Sequence, residues 1–415
     1  MGIIDEKLEE DEGAREARRI AEEAEYGYKN LTGPYALIVS IIAGAWSLFQ
    51  LSLASVIMLD SVTIRAIHLT FAVVLVFLCY PMFKKPKKLK ALSYLAVRNR
   101  ITILDIVLAV AAGVMALYIV LDYMGLAQRQ GALISRDIVI GVLLVLFVLE
   151  AARRSLGPVL PAVAIAFILY SFLGPHMPGV LAFKGVSLSR FIGQITASTE
   201  GIYGIPLDVS ATIVFLFVLF GSMLDKAGAG RYFVQLAFSL LGRYKGGPAK
   251  AAVLASGLTG MVSGSSIANV VTTGTFTIPM MKAVGYPAHK AGAVEVACST
   301  NGQLMPPVMG AAAFIIAEYC NIEYLQVVKA AFVPAVVSYI ALIYITHLEA
   351  SKLGLKGMPK AEIPRFWPTF IGGIHYLIPI LFLIYELAVV RHSPQLSVFR
   401  AIIALAILIP LQNIL

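Results

Sequence analysis

Charge is scarce in this sequence. Only 14% of its 415 residues are Asp, Glu, Lys or Arg, while 59% are apolar; soluble domains carry about a quarter charged residues. One water-soluble core cannot hide that much apolar surface, so a soluble enzyme or binding domain is excluded and an all-α polytopic membrane protein is indicated. Cysteine is also sparse. Cys79, Cys298 and Cys320 show no C-x-x-C spacing, which speaks against a disulfide framework or a zinc site. Acids are nearly missing from one long interval: from Gly246 to Ala317 the only one is Glu295, and no arginine occurs from Tyr244 to Pro364.

Apolar runs are what the chain has in abundance. They lie at 35–59, 64–83, 101–121, 156–173, 205–224, 324–348, 368–390 and 398–415, each near the ~20 residues a helix needs to cross the hydrocarbon. A shorter run at 138–152 ends at Arg153 and Arg154 and crosses if those arginines snorkel. Counting an interrupted helix at 291–318, nine or ten crossings are expected. Alternate threading puts twenty of the 28 Lys and Arg beyond residue 29 on one side and eight on the other. The positive-inside bias makes the basic side, and with it the N-terminus, cytoplasmic. Topology therefore accounts for the net charge of +9 without nucleic acid. Lys84, Lys85, Lys87, Lys88 and Lys90 read as a stop-transfer signal that can also attract anionic lipid headgroups. Residues 1–33 begin with an acidic stretch that lacks the pattern of a signal peptide and form an exposed cytoplasmic extension, either a solvated helix or a disordered tail.

The segment 248–282 departs from the spanning pattern. The 31 residues between Lys250 and Lys282 carry no charge, too long for one crossing helix and too short for two with a turn. Both ends must be cytoplasmic for the threading to work, so a re-entrant hairpin is expected. From Ser256 to Thr277, 14 of 22 positions are Ser, Thr, Asn or Gly, centred on Ser263-Gly264-Ser265-Ser266. Irregular backbone at membrane depth needs a protein-lined or watery cavity. The plainer alternative is a close-packed helix pair, because Gly260 and Gly264 match small-xxx-small packing.

The next stretch is broken in its middle. Ser299-Thr300-Asn301-Gly302-Gln303-Leu304-Met305-Pro306-Pro307 places two prolines where a helix would lose two donors. Such a break aims two half-helix ends at one point, where oxygens can hold a cation and an N-terminal end an anion. Glu295 follows His289 and Lys290 and is expected near the cytoplasmic edge, which leaves the site without a titratable group. Uncharged oxygens then favour Na⁺ over a proton. The Na⁺ candidates are Ser263, Gly264, Ser265, Ser266, Asn269, Thr300, Asn301, Gly302 and Met305; the substrate-cavity candidates are Thr272, Thr273, Gln303, Pro306 and Pro307. No organic cofactor and no other metal are expected.

Taken together, Gly201-Ile202-Tyr203-Gly204-Ile205-Pro206, the stretch 221–230, Gly246-Gly247-Pro248-Ala249-Lys250-Ala251, the stretch 263–279, Gly285-Tyr286-Pro287, and the stretches 301–318 and 348–357 resemble the fused membrane subunits of TRAP transporters, the tripartite ATP-independent periplasmic transporters, in their TAXI-type subgroup. The resemblance covers most of 150–357. It implies an Na⁺-coupled elevator-type secondary transporter for small organic acids in the inner membrane, served by a periplasmic TAXI-type solute-binding protein. It further implies that 34–152 corresponds to the small subunit, that 153–415 begins the large permease subunit, and that hairpin 248–282 and broken helix 291–318 form the first of two inverted repeats. The family's second hairpin and second broken helix are not found before Leu415, so a fragment, a truncated frame or one half of a split permease is expected. Two other readings compete. A scaffold without transport activity is one; an intramembrane serine hydrolase built on Ser263 is the other, and it needs a histidine within hydrogen-bond reach.

Overall fold

The computed structural model describes residues 29–83 and 99–412. The acidic stretch of the N-terminal extension and the lysine cluster from Lys84 to Lys90 lie outside the described residues. Among the described residues there is no strand, and eight helices are long and apolar enough to cross a membrane. The chain forms two compact units, 26–211 and 212–415.

The first unit contains α1 (Pro34–Leu53), α2 (Ser61–Cys79), α3 (Ile103–Leu121), the short α4 (Tyr123–Gln128), α5 (Ser135–Ser155), α6 (Val159–Leu173), α7 (Leu188–Thr196) and α8 (Ile205–Val209). Ala109, Ala112 and Ala116 recur along one face of α3 and are buried with Ala66, Val73 and Phe77 of α2. Small side chains at this helical spacing let the two helices approach closely. Gly113 shows how closely, since a methyl there would stand 3.1 Å from Val74.

The sequence reading made α5 cross with snorkelling arginines; the structure pairs one of them internally. The Arg154 side chain is wholly buried, with Nη1 2.9 Å from Asp105 and Nε 2.8 Å from Glu150, and its guanidinium lies 4.8 Å from the Phe77 ring centre. Lys29 completes the cluster, 2.5 Å from the second oxygen of Asp105. The planar guanidinium is thus held by two carboxylates and a ring face through Nε and Nη1, with the buried Nη2 left without a hydrogen-bond partner among the described residues.

The second unit contains α9 (Phe215–Lys226), α10 (Ala229–Leu241), α11 (Gly247–Ser263), α12 (Ser266–Ala283), α13 (Ala288–Gly302), α14 (Ala311–Cys320), α15 (Tyr324–Lys352), α16 (Phe366–Gly373), α17 (Leu377–Tyr385) and α18 (Pro394–Gln412). Helix α10 lies between the apolar run 205–224 and the uncharged segment, and its Tyr232, Phe233, Leu236 and Ala237 are buried. The run 368–390 is divided by a 3₁₀ turn at Ile374–Tyr376. Gly372 and Gly373 weaken helix there, and Pro379 removes the bond its amide would give residue 375.

The uncharged segment folds as a hairpin, α11 and α12 turning back on each other at Gly264 and Ser265. Gly264 sits at φ 62°, and its amide closes onto Gly260 O at 3.1 Å, a left-handed helix end that glycine adopts without steric cost. Ser265 starts α12 by accepting the Ala268 amide at 3.2 Å, the usual role of an N-cap serine. At 17 and 18 residues, each arm is about 25–27 Å long. Gly264 thus makes the turn and is not a helix-packing glycine, while Gly260 does serve packing, as described next.

Candidate cation site

Hairpin and broken helix meet where two glycines face each other. A methyl on Gly260 would stand 2.5 Å from the Gly302 Cα, so only bare backbone fits at the crossing. Beyond Gly302 the chain leaves helical geometry and resumes it at Ala311. The intervening loop is tied to the hairpin tip: Val308 N donates to Met261 O at 3.3 Å, and Gln303 Nε2 donates to Ser266 Oγ at 2.9 Å. Within the loop, Gly310 N closes onto Gln303 O at 2.8 Å. From the other side the buried Tyr324 hydroxyl is shared between Pro307 O and Val308 O, at 2.7 and 2.6 Å. Two helix C-termini, α11 and α13, and two N-termini, α12 and α14, therefore converge on one place. Helix C-termini present carbonyl oxygens suited to a cation, and N-termini present amides suited to an anion.

Asn269 is the distinctive side chain at this crossing. It is fully buried. Its Nδ2 donates to Ser256 O at 3.0 Å, while Oδ1 has no hydrogen-bond partner among the described residues. Buried acceptors left unpaired are uncommon and costly. An uncharged, inward-facing oxygen beside two helix ends fits the oxygen chemistry that Na⁺ requires.

The remaining candidates separate into two groups. Ser263, Gly264, Ser265, Ser266, Gly302, Gln303, Pro306 and Pro307 belong to the tip and loop; Ser263 Oγ donates to Ser265 O at 3.4 Å. The structure turns the others elsewhere. Thr300 is exposed and returns its hydroxyl to Val296 O at 2.7 Å. Asn301 Nδ2 donates to Ser338 of α15 at 2.5 Å. Met305 packs in an apolar cluster with Val253, Cys298 and Tyr339. Thr272 lies toward Gly230 of α10, and Thr273 faces α13. Among the described residues no histidine is bonded to Ser263, so the base required by a serine hydrolase is not in place.

A family model described as the tripartite ATP-independent periplasmic transporter, DctM component, matches residues 143–413. The chain belongs to the DctM family. With its eight apolar helices, this makes it a multi-pass inner-membrane protein of the TRAP large-permease type. It is 26% identical over 158 residues to the 2,3-diketo-L-gulonate TRAP transporter large permease protein YiaN of Escherichia coli, 38% of this chain and 37% of that protein. It is 30% identical over 151 residues to the C4-dicarboxylate TRAP transporter large permease protein DctM of Pseudomonas aeruginosa, 36% and 35% of the two chains. The isethionate TRAP transporter permease protein DctMQ of Oleidesulfovibrio alaskensis is 25% identical over 264 residues, 61% and 39%. The chain thus spans well under half the length of these relatives.

One part of the permease escaped the sequence reading. Glu295, expected near the cytoplasmic edge, lies two turns into α13 and is fully buried. Ser256, Thr273 and Ser299 hydroxyls reach its Oε1, and Thr277 reaches Oε2 at 2.5 Å. A signal for it existed: Asn269, Thr273 and Thr277 recur every four residues and so share one face of α12.

Proposed function

We propose that this chain is the membrane-permease part of a TAXI-type TRAP transporter, a secondary transporter that imports a small organic acid with Na⁺ after a periplasmic solute-binding protein delivers it. Asn269 Oδ1 carries the reading: it is an unpaired, buried, uncharged oxygen where the hairpin crosses the broken helix. Ser263, Ser265, Ser266 and the loop carbonyls from Gly302 onward supply further oxygens around it. The cargo's carboxylate faces the amide ends of α12 and α14, since no arginine occurs from Tyr244 to Pro364. Several relatives are themselves named for acids or their anions, among them diketogulonate, sialic acid and isethionate, which supports this cargo class. The N-terminus lies in the cytoplasm, and hairpin and broken helix form one of two such repeats in the complete permease.

Energetics bear on the number of ions. Concentrating a solute ~1,000-fold costs about 4.1 kcal/mol, and one charge crossing ~100 mV supplies about 2.3 kcal/mol. More than one Na⁺, or an Na⁺ concentration gradient added to the voltage, is therefore required.

The test is uptake of a labelled carboxylate by the complete permease and its binding protein in vesicles. An inward Na⁺ gradient drives uptake, and Asn269→Ala raises the Na⁺ needed for half-maximal rate about tenfold, the loss of roughly 1.4 kcal/mol of ion binding. Uptake that ignores Na⁺ in the native protein overturns the reading.

A further inference from the structure

Glu295 is the one acid in the interval around the site, and nothing in the Na⁺ reading uses it. Its carboxyl is enclosed by α11, α12 and α13, and among the described residues no Lys, Arg or His forms an ion pair with it. The charged groups on the surrounding helices are engaged at the helix ends: Lys250 of α11 bonds His347 of α15 at 3.0 Å, and Lys290 of α13 pairs with Glu349 of α15. Lys282 is in the last turn of α12, and His289 is in the first turn of α13. The titratable groups nearest the carboxyl are Cys298, whose thiol donates to Glu295 O at 3.3 Å, and Tyr339, whose hydroxyl donates to Cys298 O at 3.1 Å. Neither supplies positive charge.

Only neutral hydroxyls, from Ser256, Thr273, Thr277 and Ser299, surround the carboxyl, and no positive charge among the described residues offsets a full negative one. Each hydroxyl has one proton to donate. The Thr273 hydroxyl has two acceptors within reach, Asn269 O at 2.8 Å and Glu295 Oε1, and one proton to give them. Ser256 and Ser299 stand 3.3 and 3.2 Å from Oε1, long for hydroxyl bonds. Thr277, at 2.5 Å from Oε2, is the close donor that has no competing acceptor among the described residues. A bare carboxylate so placed is strongly unfavourable.

We propose that Glu295 is a proton-binding site: its carboxyl is held un-ionised between α11, α12 and α13 with its own O–H donated to Thr273, and loss of this proton turns the Thr273 hydroxyl from the Asn269 carbonyl toward the carboxylate. The turn releases the lone pair of Asn269 O that the hydroxyl had occupied, while the helical bond from the residue-273 amide stays. Where the Na⁺ reading holds, proton loss adds an oxygen to the cation site, and Na⁺ binding tightens as pH rises; by reciprocity, bound Na⁺ promotes proton release.

Infrared spectroscopy of the purified full chain tests the protonation by itself, without transport or Na⁺. The expected result is an un-ionised carboxyl C=O absorption at neutral pH, absent in Glu295→Gln and shifted in Thr277→Val, because Thr277 donates to the carbonyl oxygen Oε2. Only ionised-carboxylate absorption from Glu295 between about pH 5 and about pH 8 overturns the proposal, as does a band that Thr277→Val leaves in place. Should Glu295→Gln not fold, Thr277→Val and the pH titration of the native chain still decide. In the complete transporter, the Na⁺ needed for half-maximal uptake falls with rising pH in the native protein and stays level in Glu295→Gln. A level native profile removes the link to Na⁺, while the infrared result continues to judge the proton site.

Discussion

Replacing Gly260 by alanine separates the crossing from the rest of the fold. The added methyl would stand 2.5 Å from Gly302 Cα and 3.2 Å from Asn269 Nδ2, where atoms in ordinary contact keep about 3.4–4 Å. The obstacle at Gly302 is backbone, so α11 and α13 must part by about 1 Å, an overpacking cost of about 1–3 kcal/mol. If that cost falls on the Na⁺-bound arrangement, affinity drops by roughly 5- to 150-fold. The control lies in the facing helix: at Gly292 of α13 nothing lies within 4 Å of an added methyl, and Gly→Ala there gains about 0.5–1 kcal/mol as helix propensity. Thermal unfolding of the purified chain against Na⁺ concentration reads both effects, since a ligand that binds only the folded state raises Tm with its own half-saturation. The expected outcome is a lower Tm and a right-shifted Na⁺ curve for Gly260→Ala, with an equal or higher Tm and an unshifted curve for Gly292→Ala. Wild-type Na⁺ half-saturation in Gly260→Ala would refute the placement of the cation at this crossing.

Two other perturbations probe the supports of the fold. Tyr324→Phe removes the hydroxyl that holds Pro307 O and Val308 O; it lowers stability by about 1–3 kcal/mol and speeds hydrogen exchange in the 303–310 loop while leaving α2 and α3 unchanged, whereas unaltered loop protection would show that the tyrosine does not brace the break. Asp60 caps α2, and hydrogen bonds from the Thr63 hydroxyl and amide hold its carboxyl below the usual aspartate range. A lowered value means that the stabilisation is complete above the unfolded aspartate value near ~3.9 and is lost as pH falls through the folded one, so amide protection of the first turn of α2 decreases in acid, and Asp60→Asn, which keeps a capping oxygen, flattens that dependence.

Backbone features of the site are legible in the residues because local chemistry dictates them. Four hydroxyl and glycine positions in a row cannot continue a membrane helix at low cost, and Pro306-Pro307 removes two donors wherever it occurs, so a turn at Gly264 and a break after Gly302 follow from short range. The structure agrees on both. Hydropathy locates eight of the crossings for a similar reason, a length requirement that involves no partner. The 138–152 run is the informative exception. Its arginines read as edge charges until Asp105 and Lys29, 49 or more positions away in the chain, come beside Arg154.

Side-chain partners are the part that pattern does not supply. Thr300 and Asn301 stand next to each other in the sequence, yet a 100° step around α13 sends one to the surface and the other to Ser338. Basic neighbours point Glu295 toward the water, but apart from Ser299 its partners come from α11 and α12, whose positions only packing determines. Sequence alone therefore settled a membrane-embedded helical protein with an oxygen-rich hairpin and an interrupted helix, since composition, period and proline act within a turn or two. Tertiary structure decided which oxygens meet, leaving Asn269 Oδ1 unpaired at a glycine crossing and enclosing Glu295 among hydroxyls, because a side chain's partner depends on which distant helix lies against its face.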